Sequence, residues 1–202
     1  MKKLIFYILL IFFTLHANAQ VKENLKIPKN PKIGLSLSGG GAKGFAHVGV
    51  LKVLDSLGVK VDYISGTSMG AIVGGLYASG YTGKDIEKII LDTDFYNLIS
   101  NQNNRAESSF FNKSVDKYLL KVPIKNGKAT LPTSISSGQK NLYLLKELFK
   151  NVSNINDFSK LPIPFMCVAT NLETGKIKIF ENGDLSESIL ASSAFPSLMD
   201  PV

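Results

Sequence analysis

The pentapeptide Gly-Thr-Ser-Met-Gly, residues 66–70, constrains the fold of this chain more than any other stretch. An apolar run precedes it and the apolar run Met69–Ala78 follows it, which predicts a strand, a tight turn and a buried helix. A serine between two glycines at such a junction is typical of a nucleophile elbow, where side chains at Gly66 and Gly70 would collide with backbone. The hydroxyl of Ser68 would lie at a helix N-terminus, whose N–H groups stabilise a developing anion. The pentapeptide alone also fits an ordinary turn without catalytic function.

Residues 1–19 have the features of a secretory signal peptide. Two lysines precede a nearly continuous apolar run, Leu4–Leu15, and Ala17-Asn18-Ala19 follows as a small-x-small cleavage site. The apolar run is short for a transmembrane helix, although an uncleaved anchor is the alternative. Residues 20–31 are polar and would form a leader into the domain. We therefore expect an exported protein, periplasmic or secreted, with outer-membrane association if the natural chain continues beyond Val202.

The amino-acid composition predicts a globular domain with a basic surface. Hydrophobic residues make up 45% of the 202 residues and charged residues 19%, proportions typical of a folded core. The formal charge of +7 falls by two, to +5, without the lysines of the signal peptide, and Arg105 is the only arginine. A lysine-rich exported surface can contact anionic membranes, although solvated lysines without a partner are the alternative. No nucleic-acid-binding motif is present, so no nucleic-acid partner is expected. No pattern indicates an oligomeric state.

The sequence predicts neither a metal site nor a catalytic cysteine. The mature chain would keep one histidine, His47, and no cluster of ligand residues, so no metal site is predicted. Cys167 is the only cysteine, and no disulfide can form within these 202 residues. It lies in the apolar stretch Ile163–Ala169, where we expect it to pack as a small core residue rather than act as a nucleophile.

Two successive strand–loop–helix units follow the leader. The first has a buried strand, Lys32–Leu37, a glycine-rich loop and a helix that ends at Gly58; the second is Val59–Ser79, around the pentapeptide. Such units predict a parallel sheet covered by helices, in which both loops open at the carboxyl edge of the strands. In the first helix the apolar residues at helical spacing, which indicate its apolar face, are Phe45, Val50, Val53, Leu54 and Leu57.

The remainder of the chain predicts an insertion and further regular elements. Residues 94–139 are polar and form a predicted insertion over the loop edge, with a hairpin around Asn126-Gly127. The insertion either faces the substrate or is a surface excursion without a role. The other predicted elements are a helix from Thr82 with a capping box to Asp85, a helix over 140–152, a strand over 162–169, a turn over 171–175, a strand over 176–180 and a helix over 185–194.

The glycine-rich loop after the first strand fits two kinds of site. Its spacing, Gly39-x-Gly41-x-x-Gly44, matches the dinucleotide fingerprint, but the acidic Asp62 precedes most of its strand and would lie at the wrong edge of the sheet. The P-loop pattern fails because no lysine–Ser/Thr pair closes the loop. In the other interpretation the N–H groups of Gly40 and Gly41 form an oxyanion hole facing the Oγ of Ser68. The side chain of Lys43 would add positive charge there.

Several blocks in the same order resemble a bacterial patatin-like phospholipase domain over about residues 32–202. The blocks are Gly39–Gly44, His47–Leu51, Gly66–Gly70, Ile163–Phe165, Ala169–Gly175 and Ala191–Pro196. The resemblance implies a three-layer α/β/α fold with a mostly parallel central sheet, a phospholipid or other lipid ester as substrate, and a Ser-Asp dyad that needs no catalytic histidine and no cofactor. It implies Ser68 as nucleophile. The implied oxyanion element is Gly39, Gly40, Gly41, Lys43 and Gly44, and the elbow is completed by Gly66, Thr67, Met69 and Gly70.

The sequence departs from the family pattern at the catalytic base. The family's aspartate stands in an Asp-Gly-Gly or Asp-Gly-Ala motif soon after the Ala-Ser-x-Ala-x-Pro block, and no Asp-Gly pair occurs in this chain. Asp184 precedes that block and Asp200 does not match the motif, so neither is assigned. We expect the aspartate beyond Val202, and little activity from these 202 residues alone. His47 precedes the serine, lies on the first helix and is expected to be structural.

Three functions therefore remain open at the level of sequence. The leading hypothesis is a secreted serine acyl hydrolase acting on membrane lipids, in which Ser68 is acylated and then released by water. The second is a non-catalytic passenger or interaction domain, suggested by the missing aspartate. The third is a nucleotide-binding module that uses the loop beginning at Gly39.

Overall fold

A four-stranded sheet organises the unit Lys32–Val202. The computed structural model describes residues 28–95, 98, 124–125, 128–129, 136–196 and 198–202. The predicted signal peptide, most of the leader and most of the predicted insertion lie outside the described residues.

The sheet is parallel except at one edge. Its strands are β1 Gly34–Leu37, β2 Tyr63–Thr67, β5 Phe165–Thr170 and β6 Ile177–Phe180, in the order β1-β2-β5-β6. Strands β1, β2 and β5 run parallel, whereas β6 pairs antiparallel with β5. Across the sheet Leu37 pairs with Gly66, and Gly66 pairs with Cys167.

Five helices and a small separate ladder complete the described elements. The helices are α1 Ala46–Ser56, α2 Met69–Ala78, α3 Gly83–Asp92, α4 Gln139–Leu148 and α5 Leu185–Ser193. Short 3-10 helices cover Gly41–Phe45, Lys150–Val152 and Phe158–Lys160. Strands β3 Ile124–Lys125 and β4 Lys128–Ala129 pair antiparallel on either side of the predicted hairpin turn, which itself lies outside the described residues.

Helix α2, which begins at the elbow, packs on one face of the sheet. Strands β1, β2 and β5 are neighbours in chain order, and because crossovers between parallel strands are right-handed as a rule, we expect the connecting helices on the same side of the sheet. A Cβ atom at Gly74 of α2 would lie 3.0 Å from Ile64 and 3.1 Å from Leu37, so this helix rests directly on the strands. On the opposite face Tyr63 and Ile179 are exposed. The described residues thus supply the sheet and the helical layer on one of its faces.

The predicted order of strands and helices is confirmed from Lys32 onward. Thr82 and Asp85 form a complete capping box at the start of α3: the Thr82 hydroxyl accepts from the Asp85 N–H, and the Asp85 carboxylate accepts from the Thr82 N–H. Cys167 is fully buried, as predicted. Among the described residues, no helix combines the length and the hydropathy needed to cross a bilayer.

The predicted apolar face of the first helix is wrong at three of its five residues, whereas Leu54 packs against the core as predicted. Val50 and Val53 are 53% and 55% exposed and Leu57 is 70% exposed, whereas Leu51 is completely buried. Apolar residues occur on two sides of this helix, and packing selects the side that faces α3. The contact is close: a Cβ atom on Gly83 would lie 3.0 Å from the carbonyl carbon of Leu51.

Candidate active site

The pentapeptide forms a strained turn between β2 and α2. Ser68 has φ 54° and ψ −121°, and among the described residues it is the only non-glycine with a positive φ. A Cβ atom on Gly66 would lie 2.5 Å from the carbonyl oxygen of Gly70, and one on Gly70 would overlap the Leu37 carbonyl. Both glycines are therefore required by close backbone approach. Strain of this kind in a non-glycine residue is characteristic of functional sites.

The hydroxyl of Ser68 lies at the N-terminus of α2. The N–H groups of Ala71 and Ile72 donate to the Ser68 carbonyl oxygen, at 2.9 and 3.1 Å, so Ser68 is the N-cap of the helix. Its hydroxyl makes no capping hydrogen bond, and its side chain is half-buried. The first N–H groups of a helix have no intrahelical acceptor, and together with the helix dipole they favour negative charge near Ser68.

The glycine-rich loop after β1 packs against the elbow. A Cβ atom on Gly39 would lie 3.1 Å from the Cβ and 3.9 Å from the Oγ of Ser68. Gly44 is buried, and a Cβ there would lie 2.5 Å from the Cγ of Met69. The two loops therefore meet at the carboxyl edge of the strands, as their order in the sequence predicts.

The middle of this loop adopts conformations that favour glycine. Gly40 has φ 155° and Gly41 has φ 54°. The N–H of Lys43 donates to the Gly40 carbonyl oxygen at 3.2 Å and closes the turn, and the Lys43 side chain is exposed. Thr67, the last residue of β2, is exposed beside the elbow.

His47 holds the start of the glycine loop. Its Nε2–H donates to the carbonyl oxygen of Ser38 at 2.9 Å; the carbonyl can only accept, which fixes the ring nitrogen as the donor. This bond ties α1 to the last residue before Gly39. Sequence reasoning placed His47 on the helix but missed the contact, and the glycine spacing gives no signal for it.

The side chain of Ser192 contacts the backbone of the nucleophile candidate, Ser68. The N–H of Ser68 donates to the Oγ of Ser192 at 2.9 Å, and that hydroxyl donates to the carbonyl oxygen of Val168 at 2.6 Å. Ser192 lies near the C-terminal end of α5, 124 positions from Ser68 in sequence. Sequence reasoning missed this role: the block containing Ser192 was recognised, but no local pattern pointed to the partner.

Neither Asp184, considered as a base, nor Asp62, considered as the acidic residue of a dinucleotide site, lies beside the elbow. Asp184 caps the N-terminus of α5 by accepting from the Glu187 N–H at 3.0 Å, and about 12 Å of helix separates it from Ser192. Asp62 accepts from the Ile33 N–H at 2.8 Å, at the amino edge of the strands. That position is the wrong edge for the acidic residue of a dinucleotide site, as the sequence indicated.

Burial is the main cause of two raised pKa values, those of Cys167 in β5 and Tyr77 in α2. It raises the pKa of the Cys167 thiol to about 12, so this thiol beneath the elbow stays neutral and unreactive at physiological pH. Burial, with the hydrogen bond to Asp55 and its charge, raises the pKa of Tyr77 to about 12. Among the described residues, no three His, Cys, Asp or Glu side chains are grouped so as to hold a metal ion.

Comparisons with curated proteins identify relatives of this site and fold. An uncharacterized NTE family protein of Mycobacterium tuberculosis is 30% identical over 172 residues, which cover 85% of this chain and 40% of that protein. A lysophospholipase, NTE1, of Lodderomyces elongisporus is 32% identical over 178 residues, which cover 88% of this chain and 10% of that protein. The chain thus spans less than half the length of these relatives.

Solved structures share the fold at low sequence identity. VipD from Legionella pneumophila superposes with a TM-score of 0.52 and 19% identity, covering 85% of this chain and 44% of that one. The type III effector ExoU of Pseudomonas aeruginosa gives a TM-score of 0.50 and 20% identity, covering 83% and 41%. These likenesses confirm the predicted patatin-like α/β class with its mostly parallel sheet.

The two loops that meet at Ser68 fall within one continuous family match. A sequence model described as patatin-like phospholipase matches residues 35–202, which include the glycine loop, the elbow and α5. This chain therefore belongs to the patatin-like phospholipase family.

Proposed function

We propose that the protein is a serine acyl hydrolase that cleaves carboxylic ester bonds of phospholipids or lysophospholipids through a Ser-Asp dyad. One observation carries the proposal: Ser68 sits on a strained strand-to-helix turn, and the Gly39 loop is so close that a Cβ atom on Gly39 would lie 3.1 Å from the Cβ of Ser68. A nucleophile beside a loop of backbone donors is the arrangement that acyl transfer requires. Membership of the family and the lysophospholipase relative support lipid esters as the substrate class.

The reaction begins with attack by the Oγ of Ser68 on the ester carbonyl carbon while the aspartate accepts its proton. The carbonyl oxygen becomes an oxyanion that the N–H groups of Gly40 and Gly41 stabilise, together with the N-terminus of α2. Collapse expels the alcohol, which takes the proton from the aspartate, and leaves an acyl ester on Ser68. Water, deprotonated by the same aspartate, then releases the fatty acid and regenerates the hydroxyl.

The proposed base is the aspartate of the family's Asp-Gly-Gly or Asp-Gly-Ala motif, which these 202 residues do not contain. Asp184 and Asp62 are engaged at the far end of α5 and at the opposite edge of the sheet. His47 uses its Nε2–H on the Ser38 carbonyl, which supports a structural role instead of a Ser-His pair. Activity is therefore to be measured on the full-length natural protein.

The site of action proposed is a membrane surface outside the cytoplasm. The signal-peptide pattern over residues 1–19 and the net positive charge support this placement. N-terminal sequencing of the mature protein tests it: a new terminus at Gln20 is expected, and a protein that retains Met1 contradicts export by cleavage.

Labelling by a fluorophosphonate probe tests the nucleophile. The full-length protein should be labelled, Ser68→Ala should not, and Ser56→Ala should be labelled like the wild type. Ser56 is the matched control because it is exposed at the end of α1, where its hydroxyl donates to the Val53 carbonyl. Labelling of Ser68→Ala to the same extent as the wild type would contradict the proposal. A wild-type protein that neither labels nor hydrolyses phospholipid vesicles would favour the interaction-domain hypothesis.

A further inference from the structure

We propose that Ser192 is a positioning residue for the nucleophile: its hydroxyl replaces the sheet hydrogen bond that the elbow breaks, and so fixes the backbone of Ser68. This inference rests on the proposed function, because positioning matters for catalysis only if Ser68 is the nucleophile. Ser192 lies 124 positions from Ser68 in the sequence, on α5 and not on the helix that begins at the elbow.

The register of the sheet defines the missing bond. In the parallel ladder between β2 and β5, the N–H of Ile64 donates to the carbonyl oxygen of Pro164 at 2.9 Å. A parallel ladder repeats every two residues. Continued from Ile64, it would pair the N–H of Gly66 with the carbonyl oxygen of Met166, and then the N–H of Ser68 with that of Val168. The chain turns away from the sheet at Ser68, where φ is 54°, and this bond cannot form directly.

The hydroxyl of Ser192 fills that gap between donor and acceptor. It accepts from the Ser68 N–H at 2.9 Å and donates to the Val168 carbonyl oxygen at 2.6 Å. These are the two groups that the interrupted ladder leaves apart. A hydroxyl has one hydrogen, which goes to Val168, so a lone pair of the oxygen faces the Ser68 N–H. The side chain thus continues the ladder through one inserted oxygen atom.

The helix that carries Ser192 is itself held against α2. Asp184 caps its first turn, and buried Leu185, Ile189 and Leu190 lie along its packed side. A Cβ atom on Gly75 would lie 2.6 Å from the Cδ1 of Ile189, so α5 is seated directly on the helix that begins at Ser68. A positioning group borne by a packed helix has a well-defined location, as accurate placement of a nucleophile demands.

This role predicts a specific kinetic pattern. Ser192 contacts backbone groups, so its loss should lower kcat while KM is unchanged. Because its hydrogen stays on the Val168 carbonyl bond throughout, Ser192 takes no part in proton transfer, and the pH profile of kcat should keep its shape. Nucleophile displacements of about 1 Å can cost on the order of 100-fold, so a 10- to 100-fold loss is expected.

The test compares Ser192→Ala with Ser193→Ala in the full-length protein, using p-nitrophenyl butyrate and a fluorophosphonate probe. Ser193 is the matched control: it is the neighbouring serine on α5, and its hydroxyl donates only within the helix, to the Leu190 carbonyl at 3.1 Å. Ser192→Ala should lose 10- to 100-fold in kcat and in labelling rate, Ser193→Ala less than threefold, and Ser192→Thr should recover most of the activity.

Hydrogen exchange gives a readout that does not depend on catalysis. The Ser68 amide should exchange at least tenfold faster in Ser192→Ala than in the wild type, and should stay protected in Ser192→Thr. If Ser192→Ala does not fold, Ser192→Cys takes its place, because the thiol keeps a side chain of similar shape but hydrogen-bonds weakly. Wild-type kcat and amide protection in the hydroxyl-free variant would overturn the inference.

The outcomes separate the two proposals. Activity retained by Ser68→Ala overturns the proposed function itself. Activity abolished by Ser68→Ala but equal in Ser192→Ala and Ser193→Ala overturns only the positioning role. A parallel change of KM and kcat, or a shifted pH profile in Ser192→Ala, also contradicts it, since it would show that Ser192 contacts substrate or carries a proton.

Discussion

A Cβ atom on Gly39 would lie 3.1 Å from the Cβ of Ser68, so the glycine loop and the elbow touch because Gly39 has no side chain. The φ of Gly39 lies outside the left-handed region, and alanine can adopt this backbone. The cost of Gly39→Ala is therefore confined to that contact. We expect kcat to fall about 10- to 100-fold, because the loop moves by a few tenths of an ångström from the oxyanion position, with little change in melting temperature.

Gly49→Ala is the matched control for that substitution. Gly49 lies on α1, and a Cβ atom there would meet nothing within 4 Å. The alanine should raise the free energy of unfolding by about 0.5–1 kcal/mol, because glycine weakens helices, and leave kcat unchanged. Steady-state kinetics and urea unfolding on the full-length proteins measure both effects. Wild-type kcat in Gly39→Ala would contradict an oxyanion role for the loop.

The hydrogen bond from His47 to Ser38 predicts a moderate catalytic effect. His47→Ala frees the start of the glycine loop, and we expect kcat to fall about tenfold, whereas loss of a general base typically costs 10²–10⁴-fold. His47→Gln, whose amide N–H can still donate to the Ser38 carbonyl, should recover most of the rate. Loss of 10³-fold or more in both variants would indicate that the imidazole takes part in proton transfer.

Local signals explain why so much of the fold was predictable from sequence. The elbow, the glycine loop and the α3 capping box each depend on residues within a few positions of one another, and glycine is demanded by backbone contacts such as that of Gly66 with Gly70. The order of strand–loop–helix units then places both loops at one edge of the sheet.

Long-range packing explains what the sequence did not predict. The first helix has apolar residues on two sides, and its packing in the core buries Leu51 and leaves Val53 exposed. The contact between Ser68 and Ser192 joins residues 124 positions apart and depends on the β2–β5 register. The His47 contact likewise needs the helix to be placed against the loop. None of these has a spacing signature.

Tyr77 predicts a stability change at alkaline pH. Its hydroxyl donates to the Asp55 carboxylate at 2.6 Å, and burial with this contact raises its pKa from 10.0 to about 12. The neutral phenol is thus favoured by folding, and its stabilising contribution is complete below pH 10 and is lost as the pH rises through 12. The free energy of unfolding should decline over that range.

Tyr77→Phe tests the origin of that decline. The variant should be less stable at pH 8 by about 1.5–3 kcal/mol, the usual contribution of a hydrogen bond to a charged group, and its stability should decline less between pH 10 and 12. Urea unfolding at several pH values measures this, and absorbance at 295 nm should show one fewer late-titrating tyrosine. An identical decline in the variant and the wild type would assign the effect to other groups.

Cys167 reports whether the sheet beneath the elbow opens. It is completely buried, pairs in register with Gly66, and burial raises the pKa of its thiol to about 12. Because the thiolate is the reactive form, iodoacetamide at pH 8 should modify native Cys167 at least 10³-fold more slowly than the unfolded chain. Mass spectrometry of the Cys167 peptide follows the reaction, and the rate should rise with urea in parallel with unfolding. Modification of the native protein at the rate of a free thiol would show that the centre of this sheet opens readily, and that Ser68 does not stand on a rigid support.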